Sequence, residues 1–187
     1  PGSGVLYDLG PHLIDQCLCL FGLPGNIFAD IRMQRPHAKA DDYFELQLDY
    51  GFLKATLKAG MLVRENGPRY VLHGTAGSFI KSGEDPQEVF LRAGKLPDEV
   101  VNWGIENEST WGLLHTEING AVIKEKYPSA KADFGGYYDN LYDTIRNNLP
   151  LQEKPVQSYN NIRLAELAFE SSKQKSKKLP LKKTMLC

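Results

Sequence analysis

Apolar positions along this chain change their period several times, and each change marks an element. Ile14, Cys17, Leu18 and Phe21 fall at i, i+3, i+4 and i+7, the stripe of an amphipathic helix, and Gly22 followed by Pro24 supplies its stop. Asp8 is the expected N-cap of that helix, which places Pro11 in the first turn, where a missing N–H costs nothing. After Pro24-Gly25 the period drops to two. Ile27, Ala29, Ile31 and Met33 alternate with Phe28, Asp30 and Arg32, and Phe44, Leu46, Leu48 and Tyr50 alternate with Glu45, Gln47 and Asp49, so both runs read as strands. Tyr50-Gly51 then turns into Leu53, Ala55, Leu57 and Ala59, interleaved with Lys54, Thr56 and Lys58, which predicts an antiparallel hairpin.

Farther along, residues 70–73 and 78–81 make another strand pair across Gly74-Thr75-Ala76-Gly77. Asp85-Pro86 opens a short helix to about Arg92, with Asp85 as cap and Gly94 as stop. Residues 96–110 show no period and read as a loop with room for one helical turn. Asn119-Gly120 joins 111–118 to 121–126 in the strongest hairpin signal of the chain. Tyr137, Leu141, Ile145 and Leu149 predict a helix over 135–148, and Ile162, Ala165 and Phe169 predict a long one over about 158–177. Hairpins flanked by helices imply an α+β fold: an open, mostly antiparallel sheet with helices packed on one face. The other face, of mixed polarity, is either a partner surface or simply faces water.

The length of 187 residues fits one domain, 1–187, able to bury a core without disulfides or metal. With 22 basic and 23 acidic residues the net charge is −1, which supplies no electrostatic case for nucleic acid or an anionic membrane. Basic residues gather only near the end, in Lys173-Gln174-Lys175-Ser176-Lys177-Lys178 with Lys182 and Lys183, the composition of a solvated helix end. No apolar run approaches a spanning length, and three cysteines leave one unpaired in any disulfide scheme, so a reducing cytoplasm is the simplest location. His12, His37, His73 and His115 lack ligand spacing, so no metal site is expected.

Candidate chemistry concentrates at the start, in Gly2-Ser3-Gly4-Val5-Leu6-Tyr7-Asp8-Leu9-Gly10-Pro11-His12-Leu13-Ile14-Asp15. On a helix, Asp8 and His12 project from one face a turn apart. Imidazole titrates near neutrality and a neighbouring carboxylate favours its protonated form, an arrangement suited to general acid/base work. The bland alternatives are a capping acid and a hydrogen-bonded structural histidine. Asp15, three residues past His12, is either a second acid of that face or a solvated helix residue. Arg64, Tyr70 and His73, near the sheet, are further candidates for substrate binding, with the competing readings that Arg64 is a surface residue and His73 a satisfied turn histidine.

The string read at Gly2, Gly4, Leu6, Asp8, Gly10, His12 and Asp15 resembles the hallmark of the glucose-fructose oxidoreductase / inositol dehydrogenase / MocA family. His73-Gly74-Thr75-Ala76-Gly77-Ser78-Phe79, Gly83-Glu84-Asp85-Pro86-Gln87-Glu88 and Pro155-Val156 before a helix look like later segments of the same domain, which carries the resemblance to about Leu179. The resemblance implies a two-domain enzyme whose N-terminal Rossmann domain holds NAD or NADP. This chain would be only the C-terminal domain, for substrate binding and oligomerisation, with no cofactor of its own. It implies hydride transfer between nicotinamide and a secondary alcohol or carbonyl, on a sugar or cyclitol. His12 would handle the proton, Asp8 would hold His12 or a substrate hydroxyl, and the family's catalytic lysine would lie in the Rossmann half. Homo-oligomers through the uncovered sheet face are implied as well.

Two decoys are set aside. Gly2-Ser3-Gly4 is not a phosphate loop, because Tyr7 stands where the third glycine belongs and no strand precedes it. Glu153-Lys154-Pro155 matches the family's lysine signature in letters but lies downstream of the Asp/His motif, in the wrong order, so Lys154 reads as a surface lysine. Because the chain opens inside its own motif, a piece of a longer enzyme is expected, inactive in isolation. A stand-alone, non-catalytic binding or dimerisation module is the alternative.

Overall fold

The structure, a computed structural model, describes residues 2–175 and 177–181. Lys182, Lys183 and the third cysteine, Cys187, lie outside the described residues. The chain divides into two compact units, 1–64 with 153–187, and 65–152. The α+β expectation holds, with antiparallel pairing throughout, but the strands are shared between two four-stranded sheets rather than one.

In the first unit, helix α1 (Val5–Phe21) leads into strands β1 (Asn26–Arg32), β2 (Tyr43–Asp49) and β3 (Lys54–Gly60). The unit closes with helix α4 (Pro155–Lys173) and the short strand β8 (Leu179–Pro180), in sheet order β3-β2-β1-β8. The period-two reading holds within the strands, although Met33 falls past the end of β1 and is exposed, and Tyr50 and Leu53 lie in the turn between β2 and β3. Ile27 and Ala29 of β1 and Phe44, Leu46 and Leu48 of β2 point into the core, where Leu6, Ile14 and Cys17 of α1 meet Leu164, Ala165 and Ala168 of α4. Each large aliphatic or aromatic side chain buried there stabilises the unit by about 1.5–3 kcal/mol, so this layer is what seats α1 on the sheet. The outer face is polar or half-covered. Lys58 faces Glu45 across the β2–β3 pair at 3.9 Å and lies over the Tyr43 ring at 5.4 Å.

Several features of this unit depart from the local pattern. Helix α4 starts at Pro155 and ends at Lys173, three residues earlier and four residues earlier than the periodicity predicts. Strand β8 carries no period at all, yet Leu179 is buried opposite Ile27. Beyond β8 the edge of β1 is satisfied by α4: Ala29 N donates to Ser171 Oγ (3.0 Å) and Ile31 N to Ser172 Oγ (3.1 Å). Two serine hydroxyls thus replace a missing strand, because buried amide donors must find a partner. Cys17 is buried with its Sγ 3.5 Å from the Tyr50 hydroxyl, which also sits 3.1 Å from the Gly22 carbonyl. Burial pushes the Cys17 thiol and the Tyr50 phenol up, so both stay neutral near pH 7.

The second unit contains β4 (Tyr70–His73), β5 (Gly77–Lys81), α2 (Pro86–Arg92), β6 (Gly112–Ile118), β7 (Ala121–Tyr127) and α3 (Gly135–Asn147). Its sheet runs β4-β5-β6-β7. The turn chemistry matches expectation: Asn119 (φ 52°) and Gly120 (φ 81°) take the left-handed conformations of a tight hairpin, and the Asp85 carboxylate accepts from Gln87 N at 2.9 Å to cap α2. The aperiodic stretch holds two short 3₁₀ turns, Pro97–Glu99 and Glu108–Thr110.

This unit buries few residues fully, and one polar side chain among them organises it. Its only buried residues are Gln87, Gly104 and Gly112. Gln87 Oε1 accepts from Trp103 Nε1 (2.9 Å) and Phe134 N (3.0 Å), while its amide donates to Asp85, so one side chain ties three segments together. Lys81 and Glu106 form a half-buried ion pair at 2.5 Å, with Ser129 Oγ donating to the same carboxylate at 2.7 Å. Helix α3 forms where expected, but its stripe is not buried, and Tyr137, Tyr138, Tyr142 and Ile145 are all exposed.

Candidate functional site

The chemistry-bearing face belongs to α1, and its position depends on how that helix begins. Asp8 is not the cap. The helix starts at Val5, with Gly4 at the N-cap position, and Asp8 lies at the end of the first turn, its own N–H already bonded to the Gly4 carbonyl (3.1 Å). The capping acid is Asp41, from the loop between β1 and β2. Its Oδ2 accepts from Leu6 N at 2.8 Å and its backbone carbonyl accepts from Val5 N at 2.9 Å. A carboxylate and a carbonyl of one distant residue together serve two first-turn amides as a local cap would, and the carboxylate complements the helix dipole.

Gly4 is required for that approach. Its φ of 108° disfavours side chains, and a Cβ there would stand 2.0 Å from Asp41 Oδ1. Pro11 consequently falls inside the helix, where it removes the N–H that would reach the Tyr7 carbonyl. The next residue, Asp42, is fully buried and anchors the same loop. Its carboxylate accepts from Gln34 N (2.6 Å), Arg35 N (2.9 Å) and Arg35 Nε (3.0 Å). These bonds, the Gln34 amide first, hold the Asp42 carboxyl below the usual carboxylate range.

With the start of α1 set, Asp8, His12 and Asp15 fall at i, i+4 and i+7 on one exposed stripe, opposite the buried Leu6, Gly10, Ile14 and Cys17. His12 is exposed rather than packed among aliphatic neighbours. No hydrogen bond or ion pair joins Asp8 to His12 among the described residues. Asp15 is held: Asn161 Nδ2, from α4, donates to Asp15 Oδ1 at 2.8 Å.

The remaining candidates are dispersed. Arg64 is exposed in the segment after β3. Tyr70 and His73 belong to β4 of the second unit, where Arg69 lies over the Tyr70 ring at 5.8 Å and His73 Nδ1 lies 2.8 Å from Ser78 Oγ on the paired strand. Lys154 occupies the N-cap position of α4 and is exposed. Sequence reasoning missed Asp41 and Asn161, because neither sits in a local pattern that points at α1.

A dinucleotide does not fit this end of α1. A helix N-terminus holds a phosphate through its free amides and positive dipole, and here Leu6 N already serves the Asp41 carboxylate and Val5 N the Asp41 carbonyl. Among the described residues no group of three or more His, Cys, Asp or Glu side chains is placed to hold a metal ion. No helix among them is long and apolar enough to cross a membrane.

An α+β domain of open antiparallel sheets, with an acid–imidazole stripe on a tertiary-capped helix, is the class these features define. The chain belongs to the oxidoreductase family described as GFO_IDH_MocA_C, the C-terminal alpha/beta domain, whose family model matches residues 1–181. It is 45% identical over 174 residues to the protein named scyllo-inositol 2-dehydrogenase (NADP(+)) IolW of Bacillus subtilis, covering 92% of this chain and 48% of that protein. It is 38% identical over 173 residues to the uncharacterized oxidoreductase YhhX of Escherichia coli, covering 92% of this chain and 49% of that protein. A solved oxidoreductase from Bacillus cereus superposes with a TM-score of 0.88 at 35% identity, covering 98% of this chain and 54% of that one. The chain therefore spans about half the length of the curated relatives it matches.

Proposed function

We propose that this chain is the substrate-side, oligomer-forming domain of an NAD(P)-dependent oxidoreductase. The reaction is hydride transfer between nicotinamide and a secondary alcohol or carbonyl of a sugar or cyclitol. The dinucleotide belongs to a Rossmann domain outside residues 1–187. The observation that carries the reading is the solvent-facing stripe of Asp8, His12 and Asp15 on α1, in a chain of an oxidoreductase family with a relative named for an inositol.

Nicotinamide, when bound by that other domain, accepts or supplies the hydride. What this chain contributes is the group that takes up or returns the proton. Oxidation of a secondary alcohol releases one hydride from carbon and one proton from oxygen, and an exposed imidazole near neutrality takes the latter on Nδ1 or Nε2 and returns it in the reverse direction. Asp8, one turn away on the same face, offers an acceptor to a substrate hydroxyl. Asp15 is a second hydroxyl acceptor. Arg64, Tyr70 and His73 remain candidates for hydroxyl recognition on their chemistry alone. A cytoplasmic setting accords with the free Cys17 and Cys19.

The test is NAD(P)-linked oxidation of scyllo-inositol and related polyols by the full-length protein that contains this chain. His12→Ala is expected to lower kcat/KM by about 10²–10⁴-fold, and Asp8→Ala by a smaller factor, as for loss of a general acid/base. Near-normal rates in His12→Ala would remove the assignment. For association, the proposed surface is the outer face of the first sheet, where Phe28 and Tyr43 are half-buried among polar neighbours. Light scattering on the full-length protein should report an oligomer, and a monomer would count against that surface.

A further inference from the structure

Asn161 is a polar residue in a place that packing alone does not explain. It lies on the buried side of α4 at 8% exposure, on the same helix as the fully buried Leu164, Ala165 and Ala168. Its amide nitrogen donates to Asp15 Oδ1, and its own Oδ1 has no hydrogen-bond partner among the described residues. The orientation is dictated by chemistry, since an ionised carboxylate only accepts and must face the NH₂ group. Turning that group toward Asp15 leaves the amide carbonyl facing the packed side, an arrangement that opposes folding rather than favouring it. Alanine or leucine would serve the α1–α4 contact without that burden.

We infer that Asn161 is a positioning residue for Asp15, locking one carboxylate oxygen so that the other is presented beside His12 as a fixed acceptor for a substrate hydroxyl. The inference rests on the proposed oxidoreductase reading. Asp15 is exposed, and without Asn161 its carboxylate rotates freely about χ1 and χ2. With Oδ1 engaged, Oδ2 is the atom left without a partner among the described residues, three positions along α1 from His12. Ordering the acceptor before binding removes an entropic cost from substrate capture. The effect therefore falls on recognition of a polyol hydroxyl rather than on proton transfer.

The experiment uses the full-length protein with scyllo-inositol as the probe substrate and compares Asn161→Ala, Asn161→Leu, Asp15→Ala, the Asn161→Ala/Asp15→Ala double variant and His12→Ala. Asn161→Ala is expected to raise KM about ten-fold with kcat changed less than about two-fold, the factor for one lost hydrogen bond. Its melting temperature should stay near wild type, and the double variant should be no worse than Asp15→Ala alone. Asn161→Leu should show the same KM rise while filling the volume, so a packing defect in the alanine variant is recognised. Unchanged KM in both Asn161 variants, or KM effects that add to those of Asp15→Ala, would overturn the inference. A normal His12→Ala enzyme overturns the oxidoreductase reading and the inference with it. A crippled His12→Ala beside normal Asn161 variants overturns the inference alone.

Discussion

Replacing Gly4 by alanine should loosen the anchor of the helix that carries Asp8, His12 and Asp15. The added Cβ would stand 2.0 Å from Asp41 Oδ1, 2.5 Å from Cγ and 2.8 Å from Oδ2, against the carboxyl that accepts from Leu6 N. The clash is relieved only by moving that carboxylate, which forfeits a cap of about 0.5–2 kcal/mol. The φ of 108° adds strain that no movement of Asp41 relieves, of about 1–3 kcal/mol for a side-chain-bearing residue. The sum is about 1.5–5 kcal/mol, or a fall in melting temperature of roughly 3–20 °C for a chain of this size. Thermal and urea unfolding followed by far-ultraviolet circular dichroism measures it. Asp41→Ala alone should cost about 1 kcal/mol, because the backbone bond from Val5 N to the Asp41 carbonyl survives. In that background Gly4→Ala should cost about 1 kcal/mol less than in wild type, since the steric part has gone and the φ part remains. A Gly4→Ala protein within about 0.5 kcal/mol of wild type, or costs that simply add, would refute tertiary capping as the device that sets the start of α1.

Two further outcomes follow from buried polar groups. Gln87→Leu should destabilise the protein by about 2–3 kcal/mol in urea unfolding, because Trp103 Nε1 and Phe134 N both lose their acceptor, and a shift in tryptophan emission should accompany it. Unchanged stability and emission would mean that Gln87 is not a hub. Asp42 should shape the acid limb of stability. Its folded carboxyl lies below the unfolded value of about 3.9, so its contribution is full above that pH and is lost as pH falls through the lower folded value. Asp42→Asn should therefore weaken the protein at pH 7 and flatten the decline below about pH 4, and an acid limb as steep as wild type would count against the assignment.

Local patterns in the chain already specify most of its elements. Period-two runs place β1, β2 and β3, Asn119-Gly120 places the β6–β7 hairpin, and Asp85 caps α2, because each is decided by bonds between residues a few positions apart. The stripe of Asp8, His12 and Asp15 was legible for the same reason, since helical spacing alone puts them on one face, and so was the resemblance to an oxidoreductase family that the 1–181 match bears out.

Tertiary structure decided what competes over distance. Asp41, 35 residues away, takes the capping role that Asp8 would fill locally, and Asn161, 146 residues away, holds Asp15. Ser171 and Ser172 satisfy an edge of β1, and β8 forms against it with no period of its own. The strands divide between two sheets, and the apolar stripe of α3 stays on the surface. Hydrophobic period reports which face an element offers. Which buried amide or carboxylate then meets which partner depends on the packed arrangement, and no neighbouring residue encodes it.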